Sequence, residues 1–486
     1  MKKKVRGALL LLLVAGVTLG AIFILLNMKG EDDTAESSQV SETSVETVAV
    51  TEKEEADIED ISISYGGETF VIKSTPLNEE DAFVIEGLED FDLMSDNISG
   101  LARALYKMNA SKTIGDTENI ESYGLEGSEA LTAVLNFKDG TKDELVVGTT
   151  AGSGVGRYVL HDGTVYIVNA LPDMLFGGSY GLINKTAYSV EDILGTDEAG
   201  NPTALPDEMA SLKLSGAKYA QPIEIAFRSE ELSVFKILAP METDGSSDRM
   251  GEIIPVLKSF TASEVAKAGY TEENLADFGL AEPYAVAEFT LNSENHVVSI
   301  SEKDTEGNTY VTVDDNNVIY KAPWSAVSTW ADKTLMNLRS PYILLPNIMD
   351  VSGVALTGGG VDKKLNITRE KDEENSTEDN LRYILTIECD GADLSYDEVY
   401  QPFYKELISM AVLSVDEPEY YLEEPVFAFT YEYFDGGSDE ISFYEIPDQD
   451  RYAAKKNGEF NGVMRKTTVD GIIAAAADMT ETKEAA

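Results

Sequence analysis

ESYGLEGSEA (Glu121–Ala130) and ADFGLAEPYA (Ala276–Ala285) are nearly the same phrase, written twice in one chain. In each, an aromatic residue, Tyr123 or Phe278, precedes Gly and Leu. The flanks match too: TENIESYGL (Thr117–Leu125) parallels TEENLADFGL (Thr271–Leu280). A leading Thr supplies a side-chain oxygen to the free N–H groups of a helix start, and a trailing Gly takes the left-handed backbone that ends one. The phrase predicts a short helix and its stop. Gly124 and Gly279 are expected to be left-handed, with Leu125 and Leu280 folded back as apolar clasps; Pro283 follows the second stop.

Apolar–polar alternation follows each stop, the period-two pattern of a half-buried strand. After the first come TAVLNF, a turn at Asp139-Gly140, DELVVG, and RYVLHDGTVYIV turning at Asp162-Gly163. After the second come VAEFTL, HVVSIS, and TYVTVDDNNVIYKA turning through Asp314–Asn317. A fainter third copy starts at Pro418 with PEYYLEEPVFAFTYEYFDGGSDEISFYEI and ends in DRYAAKKNGEFNGVM, turning near Asn457-Gly458. Tyr158, Tyr310 and Tyr452 occupy equivalent places. The third copy has Tyr421 where the others have Gly.

The upstream halves repeat as well. LPDEMASLKLSG (Leu205–Gly216) resembles LPNIMDVSGVALTGG (Leu345–Gly359), and DIEDISISYGGETFVI (Asp57–Ile72) has the same strand–turn–strand pattern. A helix is predicted after each pair. Its apolar stripe is Ile98, Leu101, Leu105 and Met108 in the first copy. In the second it is Met250, Ile253, Leu257 and Phe260, and in the third Val399, Phe403 and Leu407. These stripes face a sheet. A hydrophobic segment trails each meander; WSAVSTWADKTL (Trp324–Leu335) puts Trp324 and Trp330 on a surface for module packing or a partner. The expected fold is therefore α+β: an N-terminal transmembrane helix, then three repeated modules. Each module has an antiparallel meander and one or two helices. The expected boundaries are 57–200, 201–340 and 341–480, a normal domain size, arranged as beads.

The N-terminus reads MKKKVRG and then an uncharged apolar run from Ala8 to Leu26. As a helix it spans about 30 Å, the thickness of a bilayer core. The basic cluster is expected to stay inside, placing the bulk of the chain outside the cytoplasmic membrane. No small-x-small cleavage site follows, so the run reads as an anchor rather than a signal peptide. Residues 31–56, rich in Ser, Thr and Glu and without aromatics, read as a flexible acidic stalk.

Composition narrows the function. Asp and Glu number 88 against 37 Lys and Arg, a formal charge of −51 that repels nucleic acid. Cys389 is the only cysteine, which excludes an intrachain disulfide and a Cys-based metal cluster. His161 and His296 lack metal-ligand spacing, and neither a Gly-x-Ser-x-Gly elbow nor a phosphate loop is present. The acidic stretches at Asp244 and Asp314 read as turns, not calcium loops. No catalytic, cofactor or metal residue is assigned, and the chain is not expected to be an enzyme.

The aromatic-Gly-Leu-x-x-Pro phrase, the Gly turn after the next strand and the Tyr-centred hairpin resemble the bacterial "domain of unknown function 4340" family. DFGLAEPYAVAEFTL is the nearest stretch; SYGLEGSEALTAVLNFKDG departs from it by lacking the Pro. The resemblance covers about 60–340 well and 341–475 weakly. It implies one membrane anchor and an accessory role beside an ABC-type permease or a companion envelope protein of the gliding-motility kind. It brings no active-site residue. Two further expectations follow from the residues: an extracellular module binding wall polymer, peptide or cations, and a hydrolase using acid pairs.

Overall fold

Three strands carry the same burial alternation: Leu131–Phe137, Ala285–Leu291 and Phe427–Tyr433. Each is the strand after a stop, and each lies inside a large antiparallel sheet because its inward side chains are apolar throughout. The structure is a computed structural model. It describes residues 47–479 apart from 77–80, 117–118, 153, 170, 198–199, 229–233 and 378–380.

The first sheet contains β1 (Ile58–Tyr65), β2 (Glu68–Ser74) and β3 (Phe83–Ile85), followed by helix α1 (Ser95–Tyr106). Then come β4 (Lys112–Asp116), β5 (Leu131–Phe137), β6 (Lys142–Thr150), β7 (Arg157–His161) and β8 (Thr164–Val168). Their order is β3-β2-β1-β5-β6-β7-β8-β4. Two meanders thus meet at the β1–β5 pair, and β4 returns to the far edge.

The second sheet repeats this plan with β9 (Met209–Ser215), β10 (Ile223–Phe227), β11 (Phe235–Ala239), β12 (Thr243–Asp244) and α2 (Ser247–Leu257). Next are β13 (Glu264–Ala268), α3 (Glu272–Asp277), β14 (Ala285–Leu291), β15 (Glu294–Ile300), β16 (Asn308–Val313) and β17 (Val318–Pro323). The order is β12-β11-β10-β9-β14-β15-β16-β17-β13.

The third sheet has β18 (Val351–Gly358), β19 (Val361–Lys371), β20 (Tyr383–Cys389) and β21 (Ala392–Leu394). After α4 (Gln401–Ile408) come β22 (Phe427–Tyr433), β23 (Ser438–Glu445), β24 (Arg451–Lys456), β25 (Glu459–Arg465) and α5 (Lys466–Asp478). The order is β21-β20-β19-β18-β22-β23-β24-β25, and a single bridge, Ser414–Val463, stands where β4 and β13 lie in the other sheets.

This corrects the expected fold class. The structure is mostly β, 43% strand and 20% helix, rather than α+β. Two physical reasons account for it. The apolar segments trailing the first two meanders close into short turns, such as Asp173–Phe176, Ser179–Leu182 and Trp324–Ala326, because they pack locally instead of presenting a long stripe; only the third meander ends in a long helix, α5. The first stop is likewise one 3-10 turn, Ile120–Tyr123. The edge strands β3 and β4 were not foreseen and add to the sheet. Among the described residues no helix is long and apolar enough to cross a membrane, and the run 8–26 lies outside them, as does most of 31–56.

The three helices predicted after the strand pairs bury most of their stripes, while Met108 and Phe260 lie beyond the helix ends and half-buried Val399 precedes α4. Ile98, Leu101 and Leu105 are buried in α1, Met250, Ile253 and Leu257 in α2, and Phe403 and Leu407 in α4. Neighbouring sheets are joined by a strap that pairs with both. At the first junction the Met94 N–H donates to the Leu182 carbonyl (2.9 Å) and the Asn184 N–H to the Asp92 carbonyl (2.8 Å). The same segment then runs onto the second module: Thr186–Ser189 pairs with Ser259–Thr261, and the Val190 N–H reaches the Lys258 carbonyl.

The second junction repeats the arrangement. The Ser246 N–H donates to Leu338 (2.8 Å) and the Ser340 N–H to Asp244 (2.6 Å); Ile343 and Val412 then bond across to Met410 and Pro341. An incoming strap also serves the first module, where the Val50 N–H bonds Met108 and Lys53 bonds Tyr106. The expected beads are in fact coupled: the described residues from Ala49 onward belong to one compact unit. One apolar cluster runs from Val50 through both first sheets to Leu338, and the third sheet has its own.

The stops are two copies of one motif. Gly124 has φ +67° and Gly279 has φ +69°. The Gly N–H bonds back three residues and the following Leu N–H five, Leu125 to Ile120 and Leu280 to Leu275, the paired bonds of a Schellman turn. A Cβ on Gly124 would sit 2.5 Å from Thr149 Cγ2 and 3.1 Å from its backbone nitrogen, whereas on Gly279 the nearest atom is Ser301 Cβ at 3.5 Å. Gly279→Ala should therefore cost about 1 kcal/mol of left-handed strain. Gly124→Ala should cost about 2–3 kcal/mol because a steric clash adds to the strain. Denaturant unfolding of both variants checks the order; equal losses would contradict it.

Candidate functional site at the second module junction

The short helix Leu335–Leu338 is fixed by a capping box between Thr334 and Asn337, so the chain leaves it at a defined angle and turns extended at Arg339. Arg339 bridges Gly245 as Ile183 bridges Leu93 at the first junction. Both side chains are buried, Ile183 1% and Arg339 1% exposed. An arginine thus occupies an apolar position.

Its guanidinium is satisfied by oxygens that carry no charge. Nη1 donates to the Asn461 carbonyl (2.7 Å), Nη2 to Asn461 Oδ1 (3.2 Å) and the Tyr342 carbonyl (3.3 Å), and Nε to the Ser340 carbonyl (3.0 Å). Asn461 closes the loop by donating from Nδ2 to the Glu242 carbonyl at 2.9 Å. The nearby Asp244 carboxylate is held by Lys236 at 2.5 Å. Desolvation pushes the Arg339 pKa down to about 10, and the Asp244 charge opposes that fall. Gly462, at φ +140°, lets the backbones close: a Cβ there would lie 2.6 Å from Val412 Cγ1. The junction is a polar clamp fixing the third sheet to the second.

Beside the clamp opens a groove of about 950 Å³. Half-buried Met241, Leu335, Val415 and Phe460 line it, while exposed Asp416, Glu417 and Glu459 form its lip. The Lys218 ammonium on the same wall is turned inward onto the carbonyls of Ala331 and Lys333, and burial lowers its pKa. The first junction has a comparable groove of about 1080 Å³, lined by Met94, Met174, Tyr180 and Lys185 among others. An apolar floor under an acidic lip suits an apolar or cationic side chain better than an anion.

The repeat markers are structural. Tyr123 packs tilted against Tyr158 (ring centroids 4.5 Å apart) and Phe278 edge-on against Tyr310 (4.7 Å). Leu125 and Leu280 are buried. The Pro283 carbonyl accepts the Ala217 N–H at 2.9 Å. Tyr452 differs from Tyr158 and Tyr310: it is buried and donates to Asp470 (2.9 Å), while Tyr421 packs on Tyr444 at 5.8 Å. The reason is a change of face, since the aromatic partner moves to the preceding strand. Trp330 is 2% exposed and belongs to the core, so it offers no partner surface. Half-buried Trp324 packs edge-on against Tyr284 and donates to Asp332.

The histidines share a role. His161 Nε2 lies 2.7 Å from Asp143, and His296 Nδ1 lies 2.9 Å from Asp314. Asn457 donates to Asp439 at 2.8 Å in the third sheet. In every case the partners are 18 positions apart and tie the second meander strand to the turn ending the third. Asp143, His161 and Asp162 bring ligand atoms within 4.8 Å of one another, the closest approach to a metal-ligand set among the described residues.

Serial sheets of one topology, coupled by straps, define the class: a repeat protein whose grooves lie at module junctions. Residues 84–191 match the model of the family described as domain of unknown function (DUF4340), which places this part of the chain in that family. The matched segment runs from β3 through α1, the stop and the meander into the first strap. No curated protein and no solved structure matches the chain.

Sequence reading did not find Arg339 or Asn461. The available signal was Leu182-Ile183-Asn184 against Leu338-Arg339-Ser340, a charge in an apolar column after a short helix. Replacing a buried, neutrally bonded cation with an apolar chain of similar length is often neutral or favourable, whereas stripping its acceptor is not. Arg339→Met is expected to leave thermal stability within about 1 kcal/mol of wild type or above it. Asn461→Ala is expected to lower it by about 2–3 kcal/mol. Calorimetry on the two variants decides this, and the reverse order would contradict the clamp.

Proposed function

We propose that this chain is a non-catalytic scaffold attached to the outer face of the cytoplasmic membrane, an accessory protein of an ABC-type permease or a companion envelope protein. The observation that carries the reading is the strap built twice in the same register. A chain that couples three sheets in series transmits position from one end to the other, as an accessory subunit must. The basic cluster followed by the uncharged run 8–26 supports attachment to a membrane with the modules outside. The resemblance to the family supports a permease or envelope partner. A formal charge of −51 favours a basic partner surface and disfavours nucleic acid.

A second reading, an extracellular binding module for peptide or cations, is favoured by the apolar groove with its lip of Asp416, Glu417 and Glu459. In-cell crosslinking followed by mild-detergent purification separates the two. The scaffold reading expects reproducible recovery of a permease or second envelope protein in comparable amounts, and the same yield from a Glu417→Lys, Glu459→Lys double variant. Recovery of no reproducible partner, or fractionation of the chain with the soluble contents of the cell, would contradict it.

A further inference from the structure

Two of the three sheets receive an extended segment at the same place. It lies on the three residues that end at the helix N-cap: Asp92-Leu93-Met94 in the first module and Asp244-Gly245-Ser246 in the second. In both, the carbonyl of the Asp accepts and the N–H of the N-cap residue donates, while the residue between them bridges Ile183 or Arg339.

The third sheet has the same three positions, Asp393-Leu394-Ser395, with Ser395 as the N-cap of the helical segment beginning at Tyr396. Their orientation follows from the hairpin. β20 and β21 are joined by the two-residue turn Asp390-Gly391, with φ +51° and +87°. The flanking pair Cys389–Ala392 is then the hydrogen-bonded pair, so the next pair, Glu388–Asp393, is not. The N–H and C=O of Asp393 and the N–H of Ser395 therefore point off the edge of the sheet. β21 pairs with β20 alone, and among the described residues no turn, loop or cap bond from another backbone group reaches these groups. β21 is the terminal strand of its sheet on this side.

We propose that this edge receives an extended strand from a partner protein, in the register in which segments 182–184 and 338–340 are received by the first two sheets. The chemistry of the visitor follows from the rim. Asp390, Asp393, Asp397 and Glu398 are exposed around the slot, so the segment carries lysine or arginine beside the pairing residue. Main-chain pairing supplies the binding, and the charges select the partner. The inference concerns the edge alone and holds whether or not that partner is a permease.

The test uses the full chain in detergent and the peptide LMNLRSPYILLP, its own residues 335–346, as probe. Hydrogen exchange across 390–398 is followed with and without peptide. Saturable protection, with exchange at the Ser395 amide slowed about tenfold or more, is expected. Ser395→Pro removes the donor and should weaken the peptide about tenfold, the effect of one backbone hydrogen bond. Because Ser395 also caps the helix, Asp393→Lys, at an exposed side chain, serves as the second variant and should weaken the peptide several-fold. No protection at millimolar peptide overturns the proposal. So does protection in the chain alone that disappears on deleting residues 480–486, or protection without peptide that rises with chain concentration, which assign the slot to the chain's own tail or to a second copy.

Discussion

The structure depends on backbone hydrogen bonds made by a segment that belongs to neither sheet it joins. At each junction the chain leaves a short helix, pairs with the residues before the helix of its own module, and continues as a strand beside the residues after the helix of the next. Backbone groups left unpaired in such a place would each cost on the order of 1–3 kcal/mol. The strap satisfies both sides at once and so fixes spacing and register between sheets. Everything described above, the continuous apolar cluster, the clamp and the grooves, sits on or beside this segment.

The two junctions differ in chemistry at one position. Ile183 lets the first two sheets share a single apolar core. Arg339 interrupts it, and the third sheet keeps a core of its own. A buried guanidinium held by carbonyl and amide oxygens contributes geometry rather than net stability, because its bonds are directional and its desolvation is unfavourable. The second junction is thus a specific fit where the first is a general one, and the acidic-lipped groove opens beside the specific one.

The module plan was legible because it is written locally. Gly124 and Gly279 stand in matching phrases, and the turns at Asp162, Asp314 and Asn457 carry the residues that tolerate positive φ. The alternation in TAVLNF, VAEFTL and FAFTYEY announces strands. What was hidden is non-local. Edge strands such as Phe83–Ile85 and Lys112–Asp116 exist because a neighbouring strand offers bonds, not because of their own pattern. Apolar runs like WSAVSTWADKTL break into short turns, Trp324–Ala326 and Ser328–Ala331, because they pack locally. The junction site was invisible because Arg339 acquires meaning only beside Asn461, 122 positions away. Tyr452 misled for a related reason: equal spacing along the chain does not ensure the same face of a strand.

Native-state hydrogen exchange resolved to single amides tests the coupling most directly. The amides of Val190, Ala262, Ile343 and Val412, all donors in the straps, are compared with those of the central strands Ile58–Tyr65, Met209–Ser215 and Val351–Gly358. Coupling through the straps predicts that strap and central amides exchange through the same opening, with equal free energies and equal sensitivity to denaturant. Strap amides exchanging at loop rates, while the three sheets open independently with separate free energies, would contradict it.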